Sequence, residues 1–287
     1  MSNILNQLID LLTLETIDDH YFRGQSVDLG LRQVFGGQVI AQALAAGMKV
    51  APQDRVLHSC HAYFLRTGDA QHPILYDVEV LREGRNFTAL RIKALQHNEP
   101  ICHVTASFQI QEAGFDHQSP MPSVEGPDQL INELEAVRAV AQYLPSPIKE
   151  KLIADRPFDV RSKYLNNPFQ GREFPAQQYA WVKANGSVPD DLKINQCLLA
   201  YFSDFHCLLT ALHPHKKGFL EKGMKVATID HAIWFHRPFD LNHWLLHAVE
   251  SNNAYAARGL ARGQIFDQDG RLIATTQQEG LIRFTPE

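Results

Sequence analysis

The feature that most constrains this chain is that it is written twice. His61–Glu79 reads HAYFLRTGDAQHPILYDVE and His231–Glu250 reads HAIWFHRPFDLNHWLLHAVE. One gap opposite His236 sets His61 against His231, Arg66 against Arg237, Asp69 against Asp240, His72 against His243, and Val78-Glu79 against Val249-Glu250. Each block follows a helix-like run, GGQVIAQALAAGM in the first half and NQCLLAYFSDFHCLLTAL in the second. A repeat of this length implies two copies of one supersecondary unit, each burying its apolar face against the other.

Strand-like runs follow each block. They are Leu75–Leu81, Thr88–Gln96 and Ile101–Gln111 in the first half, with HNEP as a turn. In the second they are Leu245–Ser251, Ala256–Phe266 and Leu272–Phe284, with DQDG closing the hairpin. A helix followed by antiparallel strands, twice, predicts an α+β fold. Parallel βαβ units are excluded because no helices separate the strands. The expected division is a first repeat over 1–112, a proline-bearing connector over 113–175 with a helix near Pro127–Leu144, and a second repeat over 176–287.

Bulk properties narrow the class. The formal net charge of −5 comes without any basic run, which argues against a nucleic-acid partner. The four cysteines are widely spaced with no Cys-x-x-Cys pair, the pattern of reduced thiols in a cytoplasmic protein. No apolar stretch is long enough to span a bilayer, so membrane insertion is not expected. The start, MSNILNQLIDLLTLETIDD, lacks a basic flank and fits a short amphipathic helix using Leu5, Leu8, Ile9, Leu11 and Leu12. FTPE at the end is no peroxisomal address.

Nucleophile and metal signatures are weak. NGSVPD around Ser187 lacks the second glycine of a nucleophile elbow. His58 with His61, and His213 with His215, come without third and fourth ligands, so neither a metal nor a cofactor is expected. RTGDAQHPI resembles the motif of hot-dog hydratases but lacks its Asn and His, and Asp69 reads as a turn residue.

One carboxylate stands out. Asp204 sits within an apolar helical run, Asn195–Leu212, that has no Lys or Arg to pair with it. A charge in such surroundings is costly unless it is satisfied or has a task. On a helical wheel its neighbours Cys197, Ala200, Cys207 and Ala211 are small, which admits a backbone or a ligand, and a bond to His206 would satisfy it structurally. The sister helix has no acid, so any acid chemistry occurs once per pair of repeats. Strand VATIDHAIWFH is expected to put Thr228, Asp230, Ala232 and Trp234 on one face, and LIATTQQEGLIRF to put Thr276, Gln278, Gly280 and Ile282 on one face.

Four stretches carry a family likeness: FRGQSVDLGLRQVFGGQVIAQAL, ANGSVPDDL, ATIDHAIWFHRPFD and ARGLARGQIFDQDGRLIATTQQEG. Over nearly the whole chain they resemble bacterial acyl-CoA thioesterase II. The resemblance implies a double hot dog, two helices each wrapped by an antiparallel sheet. It implies hydrolysis of medium- and long-chain fatty acyl-CoA without metal or cofactor, and assembly into homotetramers. It also implies catalysis by Asp204, Thr228 and Gln278, the acid activating a water that the other two hold. Arg66, Arg237, Arg258 and Arg262 are candidates for the phosphates of CoA, and Phe202, Phe205 and Trp234 for the acyl tunnel. The alternative from another class is a non-catalytic acyl-CoA or fatty-acid binding protein with the same fold.

Overall fold

The computed structural model describes residues 3–30, 33–146 and 148–286. Leu31 and Arg32, within the first family-like stretch, lie outside them. The elements in the first half are α1 (Asn3–Leu12), β1 (Glu15–Asp18), β2 (Tyr21–Gly24), α2 (Gly36–Val50), β3 (Val56–Phe64), β4 (Ile74–Glu83), β5 (Phe87–Gln96) and β6 (Glu99–Gln109). Next come α3 (Glu133–Ala139), α4 (Ile148–Ile153) and β7 (Phe158–Ser162). The second half holds β8 (Gln177–Ala184), α5 (Leu192–Ser203), α6 (Cys207–Leu212), β9 (Met224–Phe235), β10 (Leu245–Tyr255), β11 (Arg258–Asp267) and β12 (Leu272–Phe284). Pro127–Leu144, expected as one helix, is instead two short 3-10 turns flanking α3. β7 lies inside the expected connector and forms an edge strand on β8.

All strands join one antiparallel sheet of twelve, ordered β1-β2-β4-β5-β6-β3-β9-β12-β11-β10-β8-β7. Read from its centre outward, the order is the same in both halves; α2 lies on β4, β5 and β6, α6 lies on β10, β11 and β12, and α5 packs along α2. The start of α2 meets the end of α5 at Gly37 and Tyr201, and its far end meets Cys197 through Met48, so the two axes are antiparallel. This is the double hot dog. α2 is buried on nearly every side, from Gly37 to Met48, which is why its apolar residues run all round instead of forming a stripe. Its two glutamines are absorbed by structure. Gln42 donates to Leu11 O at 2.7 Å and Gln25 O at 2.9 Å and accepts from the Tyr76 hydroxyl at 2.7 Å. Gln38 donates to Gln25 O at 3.1 Å.

The halves meet where β3 pairs with β9, His61 opposite Ala232 and Ala62 opposite His231. This register corrects the gap inferred from sequence. Leu65 and His236 donate to Ile101 O and Ile273 O at 2.9 and 2.8 Å, and Arg66 and Arg237 donate through Nη1 to Pro100 O and Leu272 O at 2.9 and 2.8 Å. The equivalence therefore runs without a gap, and His61 corresponds to Ala232. His61 is exposed whereas His231 is fully buried, as a one-residue slip along a strand requires. From Arg66 onward the sequence register stands. Asp69 and Asp240 each accept from a backbone N–H two residues on, at 2.9 and 2.8 Å, and cap equivalent turns.

The central helices come into backbone contact where α2 begins. A Cβ added to Gly37 would lie 2.3 Å from the Tyr201 carbonyl oxygen, a backbone atom that cannot swing aside. Gly37→Ala is expected to destabilise the protein by roughly 1–3 kcal/mol through overpacking, read as a lower urea midpoint at unchanged m-value.

Candidate active site

The run expected as one helix is broken at its acid. α5 ends at Ser203, Asp204 is its C-cap, and α6 starts at Cys207. The Asp204 N–H turns back to Phe202 O, which swings the side chain out of the helical wheel and toward the start of α2. There its Oδ2 accepts the Gly37 N–H at 2.8 Å. A free N–H at a helix N-terminus carries partial positive charge and favours an anion. Gly36 is needed beside it, since a Cβ there would lie 2.7 Å from the same carboxylate oxygen.

The other oxygen, Oδ1, accepts from Gln278 Nε2 and, at 3.4 Å, from the Thr228 hydroxyl. Gln278 Nε2 also donates to Thr228 Oγ1 at 3.1 Å. The structure thus brings Asp204, Thr228 and Gln278 together from α5, β9 and β12. His206 does not bond Asp204; its Nε2 meets Glu133 Oε1 at 3.0 Å.

Thr228 reaches this group through an irregularity that alternation does not reveal. Asp230 pairs with Glu279 and Thr228 with Gly280, so Ile229 is an extra residue in β9. The bulge turns Thr228 to the inner face with Gln278, while Asp230 and Trp234 stay on the outer face. The expectation that Thr228 shares a face with Asp230 and Trp234 is corrected accordingly. Trp234 packs edge-on against His61 at 5.1 Å, away from Asp204. The aromatic side chains beside the acid are instead Phe205, next to it in sequence, and Phe35, whose ring lies 4.4 Å from that of Phe205 and 5.1 Å from that of Tyr201.

Burial pushes the Asp204 pKa up to about 6, against the hydrogen bonds from Gln278, Gly37 and Thr228 that pull it down. Every donor is neutral, so desolvation wins. His231, opposite Gln278 on the neighbouring strand, is held neutral by burial, its pKa down to about 4. Ser203 Oγ donates to Ala200 O at 2.9 Å, so the His231 Nε2–H donates to Ser203 Oγ, also at 2.9 Å. That bond ties the end of α5 to β9 directly beneath the acid. Gly37, His231 and Ser203 were not found from sequence; the paired glycines opening a helix were the available signal for the first.

The sister positions carry no such chemistry. The bulge recurs at His58, so Leu57 and Ala106 occupy the places of Thr228 and Gln278. Both are buried.

None of the four arginines bonds Asp204; each stands against another carboxylate. Arg66 pairs with Glu99 at 2.9 Å, Arg258 with Glu279 at 3.0 Å, Arg237 with Asp116, and Arg262 with Glu250. Arg66 and Arg237 repeat the same carbonyl contact in the two halves, which gives them a shared structural role.

A family model described as acyl-CoA thioesterase matches residues 147–281, and one described as its N-terminal domain matches 27–109. Acyl-CoA thioesterase 2 of Haemophilus influenzae is 70% identical over 99% of this chain and 100% of its own length. Human acyl-coenzyme A thioesterase 8 is 38% identical over 96% of this chain and 89% of its own. The crystal structure of an acyl-CoA thioesterase II from Mycobacterium marinum, 35% identical, superposes with a TM-score of 0.79 over 97% of this chain and 98% of that one. A hot-dog protein from Alicyclobacillus acidocaldarius, 20% identical, shares the fold with a TM-score of 0.76, covering 98% of this chain and 99% of its own. The chain belongs to the acyl-CoA thioesterase family.

Proposed function

We propose that this protein hydrolyses medium- and long-chain fatty acyl-CoA to free fatty acid and CoA, with Asp204 as general base. The observation that carries the reading is a carboxylate held only by neutral donors, Gly37, Thr228 and Gln278, at the N-terminus of a buried helix. A base near pKa 6 is ionised at neutral pH and basic enough to take a proton from water, a role worth roughly 10²–10⁴-fold. Thr228 and Gln278 hold that water without competing for its proton. As the water attacks the thioester carbonyl, its proton passes to Asp204. The tetrahedral oxyanion forms beside the positive end of α2, collapse expels CoA thiolate, and the proton leaves with it. The cluster of Phe35, Tyr201 and Phe205 beside Asp204 suits an apolar chain. Arg258, at the start of β11, and Arg262, midway along it, are exposed and would meet CoA phosphates by exchanging their carboxylate partners.

The four cysteines, all free and buried, support a cytoplasmic setting, and no described helix is long and apolar enough to cross a membrane. Exposed Tyr63, Leu65, Leu81 and Phe87 on the first half's strands and loops support burial in the proposed homotetramer.

A thiol-release assay on lauroyl- to palmitoyl-CoA separates hydrolysis from the binding alternative, which gives stoichiometric uptake and no free CoA. Asp204→Asn is expected to lose turnover by roughly 10²–10⁴-fold while still binding acyl-CoA. Unchanged turnover overturns the mechanism. In the wild type kcat/KM should rise about tenfold per pH unit on the acid side and level off above about pH 6, because the base must be ionised.

The same shift predicts a stability effect of opposite sense. The folded state raises this pKa above the ~3.9 of an unfolded Asp, so it favours the protonated form. Its ionisation becomes a burden as pH rises between those values and stays one above about 6. At pH 8 Asp204→Asn is therefore expected to be more stable than wild type, by on the order of 1–3 kcal/mol, with a raised Tm.

A further inference from the structure

A second group of chemistry-bearing side chains lies on the surface of the first half, and the acyl-CoA reaction leaves it unused. Asp69 and His72 stand at the two ends of the turn before β4, and His97 begins the two-residue loop between β5 and β6. His72 Nδ1 lies 2.8 Å from Asp69 Oδ2, and the His72 and His97 rings are 4.7 Å apart. One ligating atom from each of the three falls within 4.8 Å of the other two, the only such trio of His, Cys, Asp or Glu among the described residues.

Their carriers are fixed by a buried amide. Gln96 Oε1 accepts the Asp69 N–H at 2.8 Å, and its Nε2 donates to Asp69 O at 2.9 Å and to His72 O at 2.8 Å. Gln96 is also the residue before His97, so one side chain clamps the Asp69–His72 turn onto the hairpin that bears the third group. His97 and Asn98 have φ of +51° and +63°, both in the left-handed region. That loop favours Asn and Gly at these places, and a histidine at the first of them is not what turning alone selects.

The duplicated architecture supplies an internal comparison. Asp240 and His243 repeat the turn, with His243 Nε2 3.8 Å from Asp240 Oδ2, so the Asp and His pair is explained by the turn itself. The hairpin that follows in the second half runs Asp267-Gln268-Asp269-Gly270 and carries no histidine. His97 is what the first half adds. Two imidazoles and a carboxylate, open to solvent, form the donor set of a three-ligand site that leaves a fourth position to water.

We propose that Asp69, His72 and His97 bind a divalent transition-metal ion of the zinc class, separate from the catalytic group. Binding requires the exposed side chains to turn so that the metal replaces the His72–Asp69 hydrogen bond, with release of any proton the ligating nitrogens carry. Asp69 also bridges to Gln33, and the Gly68 carbonyl accepts the Val34 N–H at 2.9 Å, so an occupied site would brace the segment leading into α2.

The test uses chelator-treated full-length protein titrated with Zn²⁺ by calorimetry and with Co²⁺ by visible absorption. The expected result is saturable binding, a cobalt spectrum of low coordination number, and a Tm that rises with added Zn²⁺. His97→Asn keeps a residue the loop accepts, so the variant should fold with an unchanged metal-free Tm and unchanged thioesterase activity, yet lose one saturable site and the Tm rise. His72→Gln should do the same, and His243→Gln should retain the site. Absence of saturable binding in the wild type, or binding undiminished in His97→Asn, overturns the proposal.

Discussion

Everything distinctive about this molecule is organised around one contact between its halves, the Gly37 N–H against the Asp204 carboxylate. The N-terminal end of α2, from the first repeat, meets the C-terminal end of α5, from the second. A carboxylate between them answers an N–H that an isolated helix would leave unpaired. The approach demands two glycines in succession, one because of the carboxylate and one because of the Tyr201 carbonyl. The site is therefore not an addition to the surface of one repeat. It exists because two copies of one unit face each other in antiparallel sense.

Symmetry then explains why there is a single such site. Both halves have the strand bulge, at His58 and at Ile229, so the backbone device that turns a residue inward is common to both. What differs is the side chain presented there, Leu57 against Thr228 and Ala106 against Gln278. The first half uses the positions for its core and the second for polar groups. A fused chain allows this division of labour, because each half is coded separately, whereas two identical subunits would carry the same residues at both ends of the helix pair.

Much of this was legible in the sequence, and what was not has physical causes. The repeat, the antiparallel meander and the odd carboxylate are patterns of residue type, and they are preserved whatever the exact geometry. The trio Asp204, Thr228 and Gln278 came through family likeness, and the structure places the three side chains within hydrogen-bonding reach. Expectation and structure part where one residue changes the phase of a strand. Aligning His61 with His231 matched two letters and reversed the facing of a strand. Ile229 does the same within β9 and parts Thr228 from Asp230 and Trp234; Trp234, a sequence candidate for the acyl tunnel, lies on the other face of the sheet. The break after Ser203 was hidden because apolar spacing continues across it; only the tertiary demand for the acid at the start of α2 ends the helix there.

The way the acid is held also limits what chemistry the site can support. A lysine or arginine beside Asp204 would compensate its burial and lower its pKa below the ordinary range, giving a more stable protein and a weaker base. Each candidate arginine is paired with another carboxylate, and the groups bonded to Asp204 are an amide N–H, a side-chain amide and a hydroxyl. These orient the carboxylate while leaving most of its desolvation uncompensated. An acid kept in that condition is suited to accept a proton, and a thioester carbonyl, more electrophilic than an ester or amide, is a substrate for which activating the water is sufficient. In the proposed mechanism, the stability given up at Asp204 is the measure of the basicity available for the reaction.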